Sequence, residues 1–100
     1  MDSTVDELRT LDELRRYIHK TLCAKENLLA EQFSMTELQL TRHSELCGLQ
    51  FCLRGPRSVR LAAIWAADQN IIYLYDAKGA RYSKVRLKTR PMIERQAPAA

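Results

Sequence analysis

The stretch LCGLQFCLRGPRSVRLAAIWAADQNIIYLYDAKGARYSKVRL, residues 46–87, decides the fold. It reads as four strand-like runs separated by three short turn signals: Gly55-Pro56-Arg57, Asp68-Gln69-Asn70 and Asp76-Ala77-Lys78-Gly79. Connections this short return each strand beside its predecessor, so the stretch predicts an antiparallel meander. In the first run Cys47, Leu49, Phe51 and Leu53 share one face, and Gly48, Gln50, Cys52 and Arg54 the other. Residues 59–67 are apolar on both faces, with Val59, Leu61 and Trp65 opposite Ile64 and small alanines. That pattern predicts a central strand covered on both sides. Ile71, Tyr73 and Tyr75 oppose Ile72 and Leu74, and the last run alternates Val85 and Leu87 with Tyr82, Lys84 and Arg86. Asp76–Gly79 suits a type I turn with Gly79 in the left-handed position.

Before this stretch, the period of two begins at Met35. Leu38 and Leu40 alternate with Glu37, Gln39 and Thr41, which predicts a half-buried strand, with His43-Ser44-Glu45 as the turn after it. Upstream the period is helical: Leu11, Leu14, Ile18 and Leu22 recur at three- and four-residue steps, bordered by Tyr17. Two capping boxes can start this helix, Thr4-Val5-Asp6-Glu7 or Thr10-Leu11-Asp12-Glu13. Val5 and Leu8 extend the apolar stripe backwards and favour the early start. Whether residues 24–33 continue the helix stays open: Asn27 could equally cap a second short helix ending near Phe33. The expected fold class is α+β, an N-terminal amphipathic helix packed on a four- to five-stranded antiparallel β-meander. Residues 1–90 form one domain and residues 91–100 a flexible C-terminal tail without pattern.

One helix cannot cover both faces of such a sheet, so apolar and aromatic surface is left for a partner or for a second copy of the chain. The composition, 46% hydrophobic and 28% charged, is that of a folded globular protein. No apolar run approaches the roughly 18 residues of a membrane span, and the N-terminus lacks a secretory signal. A cytoplasmic location, with no membrane partner, follows by default. Three cysteines at irregular spacing predict free thiols in a reducing compartment.

Net charge is +4, unevenly spread: residues 1–34 hold seven acids and five bases, residues 35–100 five acids and eleven bases. Alternate turns of a meander lie at one end of the sheet, so Arg54, Arg57, Arg60, Lys78 and Arg81 should share a basic rim. Guanidinium groups and free turn N–H groups suit phosphate oxygens, although charged turns also simply keep a surface soluble. Trp65, Tyr73 and Tyr75 could stack bases from an open sheet face, or pack in a core or dimer interface. Neither ribonucleoprotein consensus motif is present, and a helix followed by a meander is not the βαββαβ order of that fold. Lys84, Arg86, Lys88 and Arg90 alternate along what reads as an edge strand, where cations prevent edge-to-edge pairing.

Catalytic and metal signals are weak. His19 and Cys23 share a helical face, but two ligands are not a site unless His43 and Cys47 converge on them. No third group orients a Cys–His pair as a nucleophile, and phosphate loops, zinc-protease motifs and nucleophile elbows are absent from the sequence. Asp68 and Asp76 lie at opposite ends of one strand. The chain therefore reads as a non-enzyme with no cofactor and no metal.

The run Cys47-Gly48-Leu49-Gln50-Phe51-Cys52-Leu53-Arg54-Gly55-Pro56-Arg57-Ser58-Val59-Arg60-Leu61-Ala62-Ala63-Ile64-Trp65, with Asp68-Gln69-Asn70 and the Tyr-rich strand after it, resembles a group of short uncharacterised bacterial proteins of planctomycete type. The likeness spans roughly residues 10–87. It implies a small, free-standing cytoplasmic protein and carries over no functional residue. The expected function is a small binding module whose basic rim contacts an anionic partner, nucleic acid or an acidic protein. The alternative is a protein-interaction or homodimeric structural domain with no nucleic-acid role.

Overall fold

Five consecutive strands follow one helix in the computed structural model, which describes residues 2–5, 8–28 and 32–92. Helix α1 is Leu11–Lys25. Strands β2 (Met35–Arg42), β3 (Glu45–Arg54), β4 (Arg60–Ala66), β5 (Ile71–Tyr75) and β6 (Arg81–Leu87) pair antiparallel in chain order, giving the expected α+β meander. A sixth short strand, β1 (Asp2–Val5), pairs parallel with β6, so the sheet order is β1-β6-β5-β4-β3-β2.

β1 corrects two expectations. The helix does not start at Thr4, because residues 2–5 are strand. The later capping box is the one used: Thr10 Oγ1 accepts the Glu13 backbone N–H at 3.1 Å, and Asp12 and Glu13 place negative charge in the first turn. The β6 backbone offers residues 2–5 a ladder that satisfies their polar groups, which a cap alone does not. β6 is consequently not an edge, and its cations are not edge protection.

The helix ends at Lys25 rather than continuing. Asn27 takes the left-handed conformation (φ 55°), Leu28 N–H donates to Cys23 O at 2.8 Å and Asn27 N–H to Ala24 O at 3.3 Å. This is a Schellman stop with Asn in the left-handed site. A further helix through residues 29–31 lies outside the described residues.

Leu14, Ile18 and Leu22 of α1 are fully buried against Leu49, Phe51, Leu53, Leu61, Ala63, Trp65, Ile72, Leu74, Val85 and Leu87. Burying each Leu or Ile contributes about 1.5–3 kcal/mol, so the helix is held by this stripe more than by its own propensity. Arg15 adds a forked ion pair to Glu37 on β2, Nε–Oε1 2.5 Å and Nη2–Oε2 3.0 Å, and the carboxylate holds the guanidinium pKa above its ordinary value. β2 is otherwise mostly exposed, with Leu38 61% accessible, instead of half-buried as its alternation predicts. It is one edge of the sheet, where the helix reaches it through the Arg15–Glu37 pair while most of its side chains stay exposed. At the other end of the chain, Pro91 is buried and Met92 N–H donates to Arg9 O at 2.9 Å, so the expected tail is docked at its start. Residues 93–100 lie outside the described residues.

Two β-bulges set the faces. One falls at Leu40/Thr41, the other where Leu74 pairs with Ser83 while Tyr75 pairs with Arg81. The second makes Tyr82 the extra residue. Strict alternation puts Tyr82 with Lys84 and Arg86, but the bulge turns it to the helix side, where it packs against the core with Lys25 Nζ 4.7 Å from its ring centre. Burial pushes the Tyr82 hydroxyl pKa up.

Candidate binding face and rim groove

The helix covers one face of the sheet, and no described element covers the other. Cross-strand register defines that second face row by row. One row runs Leu38, Gln50, Ile64, Tyr73 and Lys84; another runs Leu40, Gly48, Ala66, Ile71 and Arg86; a third runs Thr36, Cys52, Ala62 and Tyr75, with Arg81 paired to Tyr75. β4 is central as expected but covered on the helix side alone; Ala62, Ile64 and Ala66 are only half-buried. Ile71 is 7% accessible yet stands outside the core cluster.

The five rim cations divide into three groups. Arg54 and Arg60 are direct cross-strand partners at the end of β3 and the start of β4. Arg57 and Lys78 are exposed on the two turns. Arg81 lies over Tyr73, its guanidinium carbon 4.6 Å from the ring centre. Among the described residues, none of the five has a carboxylate within ion-pair distance. Arg57 and Ser58 both have positive φ (56° and 63°), and Val59 N–H closes the turn onto Pro56 O at 3.1 Å.

A groove of about 630 Å³ opens at this rim. Arg54, Arg60, Cys52, Ala62, Tyr75 and the turn residues Asp76, Ala77 and Gly79 line it, together with Thr36, Leu53 and Leu61. Asp76 organises the turn: its Oδ1 accepts the N–H of Lys78 at 2.9 Å and of Ala80 at 3.0 Å. Those bonds, from Ala80 foremost, hold its carboxyl pKa below the ordinary value. Gly79, at φ +80° as anticipated, completes the loop, and its N–H donates to Asp76 O at 3.0 Å.

The aromatic triad does not assemble. Tyr73 and Tyr75 lie on the second face, half-buried, but Trp65 points into the core and is 2% accessible. Trp65 pairs with Leu49 and Ile72, both helix-side, so its parity on β4 excludes it from the tyrosine face. Lys84 and Arg86, read from sequence as edge protection, sit on the same face as the tyrosines. Their cross-strand partners Tyr73 and Ile71 were the available signal. Arg90 donates to Ala67 O across the β4–β5 turn, and Lys88 is exposed.

The Cys and His residues are dispersed. His19 Nε2 is 2.6 Å from Phe33 O, tying α1 to the segment before β2. Cys23 is buried, which pushes its thiol pKa up, while Cys47 is exposed with Sγ 3.2 Å from Leu40 O. Among the described residues no group of three or more His, Cys, Asp or Glu could hold a metal ion, and no helix is long and apolar enough to cross a membrane. No family model matches the chain, and no curated protein or solved structure does so either.

Proposed function

We propose that the protein is a binding module for single-stranded nucleic acid, which lies across the sheet face opposite α1. One observation carries the reading. From Gly48 onward, every charged residue at a second-face position of β3 to β6 is a cation: Arg54, Arg60, Arg81, Lys84 and Arg86. Tyr73 and Tyr75 stand among them. The carboxylate at the far corner, Glu45, lies opposite Arg42 on β2. Cations spaced around half-buried rings suit a strand whose phosphates track the arginines and lysine while its bases stack.

The chemistry favours this over self-association. Two copies meeting through this face would bring cations onto a surface whose β2 contribution is Thr36, Leu38 and Leu40; among the described strand positions of this face, the one carboxylate is Asp2 of β1, already in register with Lys84. A polyanion neutralises the same charges. Binding of a single-stranded oligonucleotide, followed by fluorescence anisotropy across a salt series, tests the reading. Affinity falls steeply with salt if phosphate contacts carry it. No binding at low salt, or a stable dimer burying Tyr73 and Ile64, sinks it.

A further inference from the structure

We infer that the rim groove is a subsite for a single nucleotide, its phosphate held between Arg54 and Arg60 and its base against Tyr75; this rests on the nucleic-acid reading of the adjoining face. Directly opposed strand positions hold their Cβ atoms about 5 Å apart, and like charges there destabilise the pair. Arg54 and Arg60 are such a pair, both exposed and without a carboxylate within ion-pair distance among the described residues. An anion between the two guanidinium forks converts that repulsion into two charge-assisted contacts.

The rest of the groove suits a planar ring. Ala62 is the cross-strand partner of both Cys52 and Tyr75, so two small side chains lie beside the aromatic one, and the volume of about 630 Å³ lies within the range of small-molecule sites. Asp76 disfavours every phosphate here, so the stacked base sets the selectivity. Its carboxylate lines the groove while its Oδ1 is engaged by Lys78 and Ala80 N–H, so a negative charge remains near the phosphate position. That charge weakens a bare anion and leaves the stacked base to supply the difference. The ligand class is therefore a nucleoside monophosphate or the terminal nucleotide of a strand, not inorganic phosphate.

The test is an amide NMR titration of the full chain with adenosine and uridine monophosphates, and with inorganic phosphate and adenosine as controls. Saturable shifts at Cys52, Arg60, Ala62 and Gly79 are expected, with each monophosphate binding at least about tenfold more tightly than either control. Arg60→Gln should weaken monophosphate binding about tenfold, and Ala62→Leu should abolish it by filling the groove. Shifts confined to Tyr73, Lys84 and Arg86, or phosphate binding as tightly as nucleotide, overturn the subsite. Arg60→Gln lies at the surface and keeps the test decisive if Ala62→Leu does not fold. Oligonucleotide binding that survives Ala62→Leu upholds the face reading separately; monophosphate binding without oligonucleotide binding upholds the subsite and removes the extended face.

Discussion

The indole N–H of Trp65 donates to Asn70 Oδ1 at 3.0 Å, across the β4–β5 turn. Asn70 is itself buried, in the left-handed conformation (φ 55°), and uses every polar group it has. Its Nδ2 donates to Leu87 O at 3.2 Å and Thr89 O at 3.3 Å, its N–H to Ala66 O at 2.8 Å, and its carbonyl accepts from Leu87 N–H at 3.0 Å. One side chain thus joins the core tryptophan, the turn and the end of β6. Asn70→Ala leaves a buried indole N–H without an acceptor and puts a Cβ residue lacking Asn's local hydrogen bonds at positive φ, for an expected loss of about 3 kcal/mol. Asn70→Gly relieves the backbone alone and should lose about 1 kcal/mol less. Trp65 is the chain's one tryptophan, so its fluorescence in urea reads both variants directly.

Gly48 has no room for a side chain. A Cβ there would stand 2.5 Å from Trp65 O, a backbone atom of the neighbouring strand that cannot turn away. Gly48→Ala should cost about 1–3 kcal/mol by forcing β3 from β4, whereas Ala66→Gly, at the position opposite, should cost about 1 kcal/mol. Equal losses in denaturant melts would contradict the close approach.

The β2–β3 hairpin turns on His43 and Ser44, both at positive φ (53° and 65°) between the paired Arg42 and Glu45. This is the type I′ geometry that Asn-Gly prefers. The double change His43→Asn, Ser44→Gly should stabilise the fold by about 1 kcal/mol. A raised denaturation midpoint at unchanged slope checks it; a loss would mean the turn adopts another form in solution.

Much of this was legible in the residues, and the failures have identifiable causes. The period of two from Leu49 to Leu53 and from Ile71 to Tyr75, with turns too short for a crossover, left the meander as the simple solution. β1 was hidden because Asp2–Val5 carries a plausible helix cap, and its choice of strand depends on the β6 backbone 82 residues away in the chain (Asp2 opposite Lys84). Tyr82 was misplaced because a bulge shifts parity by one without a marker in composition. Trp65 was drawn to the tyrosines by residue type, although its own strand parity set it beside Leu61. At the rim, the shared position of Arg54 and Arg60 followed from the meander, but the groove beside them needed the small side chains of Cys52 and Ala62 to be seen next to Tyr75.

Acid should loosen the β5–β6 turn. Asp76 has its folded pKa lowered by the Ala80 and Lys78 N–H bonds. Its contribution is therefore present above the unfolded carboxyl pKa of about 3.9 and is lost as pH falls through the lower folded value. Asp76→Asn keeps a side-chain acceptor but does not titrate, so its melting temperature should depend less on pH below about pH 4 than that of the parent. Identical acid limbs would remove the carboxylate from the account.

In the proposed function Arg81, Lys84 and Arg86 contact phosphates on the open sheet face. The most direct measurement is the salt dependence of single-stranded oligonucleotide affinity for the parent chain and for the triple variant Arg81→Gln, Lys84→Gln, Arg86→Gln. Phosphate contacts at these three positions predict weaker binding, a slope of log K against log salt that falls by about two at roughly 0.7 per lost phosphate contact, and an unchanged melt of the helix-side core. An unchanged slope with unchanged affinity would contradict it.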